Sequence, residues 1–257
     1  MKVIILAAGQ GTRLRPLTDH CPKCMVEVNG KSIIERQLDT MHACGIEDKD
    51  ITIIAGYRND VLKEKFKDTE IQFIVNESYE TTNMVCSLMC ARNLMEKESD
   101  ILISYGDIIY SKEVLDKILQ SQDDMGVIVD DGWYEYWSAR CENPLDDAET
   151  LMFNENNYLT EIGQKTNDLN KVQSQYIGLM RFKNAGLQAV LDLSAEAKKR
   201  SENGKTLWRT ERTYAKMYMT DLLQGLIDEN YKLIICKRGE AEREYSLEGQ
   251  LATEDFY

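Results

Sequence analysis

The sequence predicts an α/β protein built on a doubly wound, mostly parallel (mixed) sheet that carries an inserted β-rich cap. Two patterns lead there. Through the first half, short apolar runs rich in β-formers alternate with segments whose apolar residues recur every three to four positions. Through the second half the alternation loosens, and two apolar runs flank a polar Asn154-Glu155-Asn156-Asn157 loop, as in a hairpin.

Taken in order, strands are expected at Val3–Leu6, Ile51–Ala55, Ile71–Val75, Ile101–Ser104 and Val127–Val129, each bounded by polar or glycine residues. Amphipathic helices fall between them at Ser32–Ala43, Asp60–Phe66, Met84–Glu96 and Lys112–Leu119. Strands joined by helices form a parallel sheet covered on both faces, and ligands of such sheets bind at the carboxyl ends of the strands. Further on, Glu149–Phe153 and Tyr158–Ile162 read as the hairpin, Tyr176–Phe182 as a strand and Ala185–Lys199 as a long helix. Lys216–Ile227 reads as a second helix and Leu233–Cys236 as a last strand. With 3 prolines and 15 glycines there is no long flexible linker. Residues 1–257 are therefore expected to form one domain, with halves at 1–130 and 131–257.

Composition narrows the function. Hydrophobic residues are 43% of the chain and charged residues 29%, enough for a sizeable core. Lys and Arg number 31 against 44 Asp and Glu, a net charge of −13. That lacks the electrostatic footprint of a nucleic-acid or anionic-membrane binder, so neither is expected as a partner. An anionic ligand would need a local basic cluster or a metal. Seven scattered cysteines suit reduced thiols in a cytoplasm. The opening apolar run, Val3 to Ala8, is too short for a signal peptide, and Arg13 and Arg15 follow it. The expected location is cytoplasmic.

The chemistry is carried by the loop after the first strand: Leu6-Ala7-Ala8-Gly9-Gln10-Gly11-Thr12-Arg13-Leu14-Arg15-Pro16-Leu17-Thr18. Glycines 9 and 11 let backbone N–H groups converge on an anion, and Arg13 adds a charged fork. A dinucleotide fingerprint would need glycine where Leu14 stands. Gly30-Lys31-Ser32 ends like a P-loop, but its upstream glycine would fall on Met25. Neither motif applies.

The loop, with Pro22-Lys23-x-Met25-Val26 behind it, instead resembles the signature of nucleoside-triphosphate transferases. The likeness continues through Gly30-Lys31-Ser32-Ile33-Ile34, Gly56-Tyr57 and Tyr105-Gly106-Asp107. It implies a Rossmann-like nucleotidyltransferase whose first half binds nucleotide and whose second half binds the acceptor. It also implies transfer of a nucleotidyl group from an NTP to a phosphorylated small molecule, with release of pyrophosphate. By the same resemblance Leu6, Ala7, Ala8, Gly9, Gly11, Thr12 and Gly106 contact the nucleotide, Arg13 holds the triphosphate, and Lys23 bridges the α-phosphate and the acceptor. Asp107 would carry Mg²⁺, a hard cation that prefers carboxylate, phosphate and water oxygens.

The segment Asn76-Glu77-Ser78-Tyr79-Glu80-Thr81-Thr82-Asn83 borders the base pocket in that family, and its form here resembles small-molecule cytidylyltransferases acting on choline phosphate, 2-aminoethylphosphonate or phosphoglutamine. The resemblance implies CTP as donor, with Thr82 and Asn83 at the base, although either residue also suits a helix N-cap. The acceptor it implies is a small phosphate, phosphonate or phosphoamide. In the cap, Asp130, Asp147, Glu149, Tyr176 and Asp221 are candidate acceptor contacts, since carboxylates and aromatic faces suit a small cationic amine. Trp133 and Trp137, four apart, read as cap core. Cys21-Pro22-Lys23-Cys24 has zinc-like spacing but no second pair to complete a site.

One departure stands out. Family members end with an acidic stretch whose Asp is a second metal carboxylate, and Ser246 stands there in Arg243-Glu244-Tyr245-Ser246-Leu247-Glu248. Glu244 or Glu248 could replace it. Two alternatives remain: a sugar-1-phosphate nucleotidylyltransferase using UTP, dTTP or GTP, and a non-catalytic nucleotide-binding homologue. The sequence leaves the oligomeric state open, a homodimer included.

Overall fold

The computed structural model describes residues 1–238. Strands β1 (Lys2–Ala7), β2 (Glu27–Val28), β3 (Lys31–Ser32), β4 (Ile51–Ala55), β5 (Gln72–Val75) and β6 (Asp100–Tyr105) fall in the first part of the chain. They are followed by β7 (Met125–Asp130), β8 (Glu149–Phe153), β9 (Leu159–Lys165), β10 (Gln175–Lys183) and β11 (Ile234–Arg238). The helices are α1 (Ile33–Ala43), α2 (Asn59–Lys65), α3 (Met84–Met89), α4 (Arg92–Met95), α5 (Lys112–Gln120), α6 (Trp133–Arg140), α7 (Asn184–Glu202) and α8 (Met219–Asp228).

Seven strands form the central sheet in the order β11-β7-β10-β6-β1-β4-β5. Strand β1 pairs in parallel with β4 and β6, β4 with β5, and β11 with β7. Only β10 runs against its neighbours, antiparallel to both β6 and β7. The sheet is thus mixed and mostly parallel, as expected.

Alternation along each strand divides the core. Ile4, Ile54, Ile101, Ile103, Val127 and Val129 face α3, α7 and α8 in one apolar cluster. Val3, Ile5, Ile51, Ile53, Leu102 and Ile128 face α1, α2 and α5 in another. Burial on both faces explains the near-continuous apolar runs, and each fully buried aliphatic side chain contributes about 1.5–3 kcal/mol. Ser32 caps α1 in a reciprocal box with Glu35: its hydroxyl accepts from the Glu35 N–H and the Glu35 carboxylate accepts from the Ser32 N–H. Hydrogen bonds from Lys65 and Ser32 pull the Glu35 carboxyl down to about 2.

Between β7 and β10 the chain makes the insert. Helix α6, absent from the sequence reading, leads into the β8–β9 hairpin. Trp133, Ala148 and Val172 form a small core of their own, with Trp137 and Leu145 packed against it. Hairpin residues Leu151, Leu159 and Ile162 join the core beneath α8. The helix expected over Met84–Glu96 is two: α3 ends at Met89 with Cys90 as its C-cap, and Ala91, at φ −90° and ψ 11°, precedes α4. Among the described residues no helix is long and apolar enough to cross a membrane.

Strand β10 has to be held against two strands of opposite sense. Its Arg181 makes a two-pronged bond to Asp100 on β6, Nε to Oδ1 at 2.9 Å and Nη2 to Oδ2 at 2.7 Å. Its Nη1 also donates to the carbonyls of Ile118 and Leu119 at the end of α5, at 3.2 and 2.6 Å. Arg181 is only 13% exposed, so removing its anion strands a charge in a poorly solvated place. Asp100→Ala is expected to cost about 3 kcal/mol, read as a lower urea midpoint at an unchanged slope.

Candidate active site

The site begins where β1 stops. Because β1 and β6 are parallel and in register, with Leu6 opposite Tyr105, their carboxyl ends release two loops side by side. The Gly106 N–H donates to the Leu6 carbonyl at 2.9 Å. A Cβ on Gly106 would lie 3.0 Å from both that oxygen and the Ala7 Cβ, so the turn requires the missing side chain. On the other flank the Tyr57 N–H donates to the Ala8 carbonyl at 3.1 Å, and a Cβ on Gly56 would come within 2.7 Å of that same oxygen.

Gly11, at φ +62°, turns the loop back over Lys23; a Cβ there would lie 2.9 Å from the Lys23 Cβ. The Gly11 carbonyl accepts from the buried Thr18 hydroxyl at 2.8 Å. Tyr57 ties the far end of the loop down, donating to the carbonyls of Thr18 and Asp19 at 3.1 and 3.0 Å. Lys23 opens a short 3-10 turn after Pro22. Its Nζ reaches across to Asp107 Oδ2 at 2.7 Å, with Lys23 17% and Asp107 34% exposed.

These elements border one cleft. Leu6, Ala7, Ala8, Gly9 and Gly11 line one side with Lys23, and Gly106 and Asp107 line the next. The third wall holds Thr82 and Asn83, so nine of the residues expected at the nucleotide come together with Asp107, the residue expected at the metal. Thr12 and Arg13 do not line the cleft; they are exposed on the 3-10 turn just beyond Gly11. Tyr79, Met84, Ser87, Cys24 and Tyr105 also line it, and the sequence reading did not single them out. For Tyr105 the signal was available, since it directly precedes Gly106-Asp107 at a strand end. Asn83 proves to be the N-cap of α3: its Oδ1 accepts from the Met84 N–H at 2.8 Å.

Tyr105 separates the cleft from the second half. Its ring meets Tyr176 edge-on, 5.8 Å between centroids at 84°. Burial holds both phenols far above their ordinary range. Gly178, at φ +91°, makes room for this: a Cβ there would sit 2.4 Å from the Tyr105 ring. The register of β10 against β7 shifts between Tyr176 and Met180, around that glycine.

The expected acceptor contacts scatter. Glu149 opens β8, where burial raises its carboxyl while Lys165 and Arg212 oppose the rise. Asp221 is buried and committed: Oδ1 accepts from Arg212 Nη1 at 2.9 Å and Oδ2 from the Tyr218 N–H at 2.8 Å. The Arg212 guanidinium lies 4.0 Å from the Tyr218 ring centroid. Asp130 is buried at the end of β7, accepting from the Gly132 N–H at 2.9 Å, with Arg238 3.9 Å away. Asp147 is exposed after a 3-10 turn. The stretch around Ser246, with Glu244 and Glu248, lies outside the described residues.

A glycine loop and a lysine–carboxylate pair at the carboxyl edge of a mostly parallel sheet mark an α/β enzyme that handles phosphates. The family model for nucleotidyl transferases matches residues 2–134, more than half of the chain, and the chain belongs to that family. It is 38% identical over 234 residues to CTP:phosphoglutamine cytidylyltransferase of Campylobacter jejuni, 89% of either chain. It is 46% identical over 91 residues to choline-phosphate cytidylyltransferase of Streptococcus pneumoniae, covering 34% of this chain and 38% of that one. In fold it is similar to the inositol-1-phosphate CTP transferase of T. maritima, with a TM-score of 0.71 at 17% identity over 99% of this chain and 91% of that one. The CTP:phosphocholine cytidylyltransferase of Streptococcus pneumoniae gives 0.68 at 19% identity over 98% and 95%.

Proposed function

We propose that the chain is a cytidylyltransferase, moving CMP from CTP to a small phosphate, phosphonate or phosphoamide and releasing pyrophosphate. The observation that carries the reading is the Lys23–Asp107 pair, 2.7 Å apart and facing the Gly9–Gly11 backbone across the cleft. The similarity to two named cytidylyltransferases supports the choice of nucleotide.

In this reading an oxygen of the acceptor's phosphate or phosphonate attacks the α-phosphorus in line. The new P–O bond forms as the bond to the β-phosphate oxygen breaks, and pyrophosphate carries away its electron pair. The protein's share is alignment and charge neutralisation. Amides of the Gly9–Gly11 loop cradle the triphosphate, with Thr12 and Arg13 at its exposed rim. Lys23 leaves Asp107 to meet the charge that builds on the α-phosphate. Asp107 suits Mg²⁺ by its chemistry: it is a part-exposed carboxylate in the cleft, and this ion commonly uses one or two carboxylates plus substrate phosphates and water. When bound, the ion would neutralise triphosphate charge.

For the acceptor, Glu149 at the start of β8 is the carboxylate assigned to an ammonium group, since Asp130 and Asp221 are already bonded and Asp147 is exposed. Tyr176 backs Tyr105 in the cleft wall. Asp221 serves by fixing Arg212, Asp130 by bracing the sheet end, and Asp147 lies at the exposed edge of the cap.

The deciding assay offers each of the four NTPs, with Mg²⁺ and phosphocholine, 2-aminoethylphosphonate or glucose 1-phosphate, and measures pyrophosphate. CTP with an amine-bearing acceptor is expected to win, whereas a UTP or purine preference would refute cytidylyl transfer. In the same assay Lys23→Ala should lower kcat by about 10²–10³ with little change in melting temperature.

A second expectation concerns Glu149. Glu149→Gln should raise KM for the amine-bearing acceptor roughly tenfold, the loss of about 1.4 kcal/mol, and leave KM for CTP alone. Because burial raises its pKa, Glu149 takes up its proton at a higher pH than an ordinary glutamate. The wild-type acceptor KM should therefore climb as the pH falls toward the carboxylate range, and the Gln variant should lose that climb.

A further inference from the structure

Asn76 follows β5 and is 4% exposed, beneath the third wall of the cleft and not part of its lining. Its main chain is committed: the N–H donates to the Ala55 carbonyl at 2.8 Å and the carbonyl accepts from the Tyr79 N–H at 3.2 Å. Its side-chain Oδ1 accepts from the Ser78 N–H at 3.0 Å. That contact fixes which way the carboxamide points, because the flipped form would set its NH₂ against another donor. Both protons of Nδ2 are thereby sent to hydroxyls, Thr82 Oγ1 and Ser87 Oγ, each at 3.0 Å.

A hydroxyl has one proton and two lone pairs. The Thr82 proton goes to the Ser78 carbonyl at 2.8 Å and the Ser87 proton to the Asn83 carbonyl at 3.3 Å. Asn76 occupies one lone pair on each. What each hydroxyl has left is a single lone pair, on a residue that lines the cleft.

We propose that Asn76 is a positioning residue for base selection, holding Thr82 and Ser87 as acceptors toward the cleft so that it takes a pyrimidine with an exocyclic amino group. The assignment rests on the cytidylyl reading and deepens it. Cytosine presents an amino group at its 4-position, where uracil presents a carbonyl oxygen. To receive uracil, a hydroxyl would have to turn its proton away from a backbone carbonyl and leave that oxygen unpaired. Asn76 holds both oxygens in place from below, so that the remaining lone pair of each keeps its position and only the bond to the backbone carbonyl competes for the proton. Asn83 works in the same sense. Its Oδ1 is used in capping α3, so its NH₂ is what remains to meet the acceptor atoms of a cytosine edge.

The experiment measures kcat/KM for CTP and UTP, with one fixed acceptor, in wild type, Asn76→Ala, Ser87→Ala and Thr82→Val, alongside melting temperatures. Wild type is expected to favour CTP. In Asn76→Ala the CTP/UTP ratio should fall tenfold or more, carried mainly by KM for the nucleotide rather than by kcat. Ser87→Ala and Thr82→Val should each lower the ratio several-fold. A purely structural Asn76 would depress both nucleotides together and leave the ratio unchanged, which overturns the proposal. Should Asn76→Ala not fold, unchanged ratios in both hydroxyl variants overturn it equally. A wild-type preference for UTP defeats the cytidylyl reading itself, whereas an unmoved ratio in variants of a CTP-preferring enzyme defeats only the role of Asn76.

Discussion

The pairing of β1 with β6 is the constraint on which the site depends. Two parallel strands in register end at the same level, so the loops that leave them are forced together. Leu6 and Gly106 share a hydrogen bond at that point, and the absent side chains at Gly56 and Gly106 let three strand ends close on the same backbone. Lys23 and Asp107, 84 positions apart in the chain, can then touch at 2.7 Å. A slip of one residue in this register would reverse every side chain of β1 between the two faces, so the apolar core enforces the geometry of the cleft.

The acidity of the chain bears on the same point. With a net charge of −13 the protein as a whole repels an anionic nucleotide. Attraction has to be local, and in the proposed reading it comes from backbone amides and from a lysine enclosed enough to be poorly screened. The partner of that lysine is a carboxylate, Asp107. In the proposed reading, a triphosphate accompanied by a cation would exchange partners with the pair without leaving either charge bare.

The second half reaches the cleft by a different route. Strand β10 enters the sheet against the direction of its neighbours and is fastened through Arg181 to Asp100 and to the end of α5. Its glycine at 178 leaves space for Tyr105, which lines the cleft and meets Tyr176 of β10 edge-on. Where the hairpin side begins is thus set by one strand with a bulge. The carboxylates of the cap are unequal: Asp221 is consumed by Arg212, Asp130 is tied to a backbone N–H, and Glu149 keeps a raised pKa.

Much of this was legible in the sequence, because it depends on short-range pattern. Strands buried on both faces write themselves as apolar runs, and a turn that needs backbone close to an anion writes itself as glycines, so Gly9 and Gly11 could be named from the pattern, while Lys23 and Asp107 were named through the family resemblance. The helix over Trp133–Arg140 was missed since its aromatic and charged residues have no clear apolar face, and the break at Ala91 carries no proline or glycine to announce it. The role of Asn83 stood undecided between cap and base contact, and the structure gives its side-chain oxygen to the helix. Sequence by itself determined the layered sheet and the phosphate loop, both properties of neighbouring residues. Only the tertiary structure decided which carboxylates were already paired and where each hydroxyl sends its proton, because those depend on partners brought together from distant strands and helices.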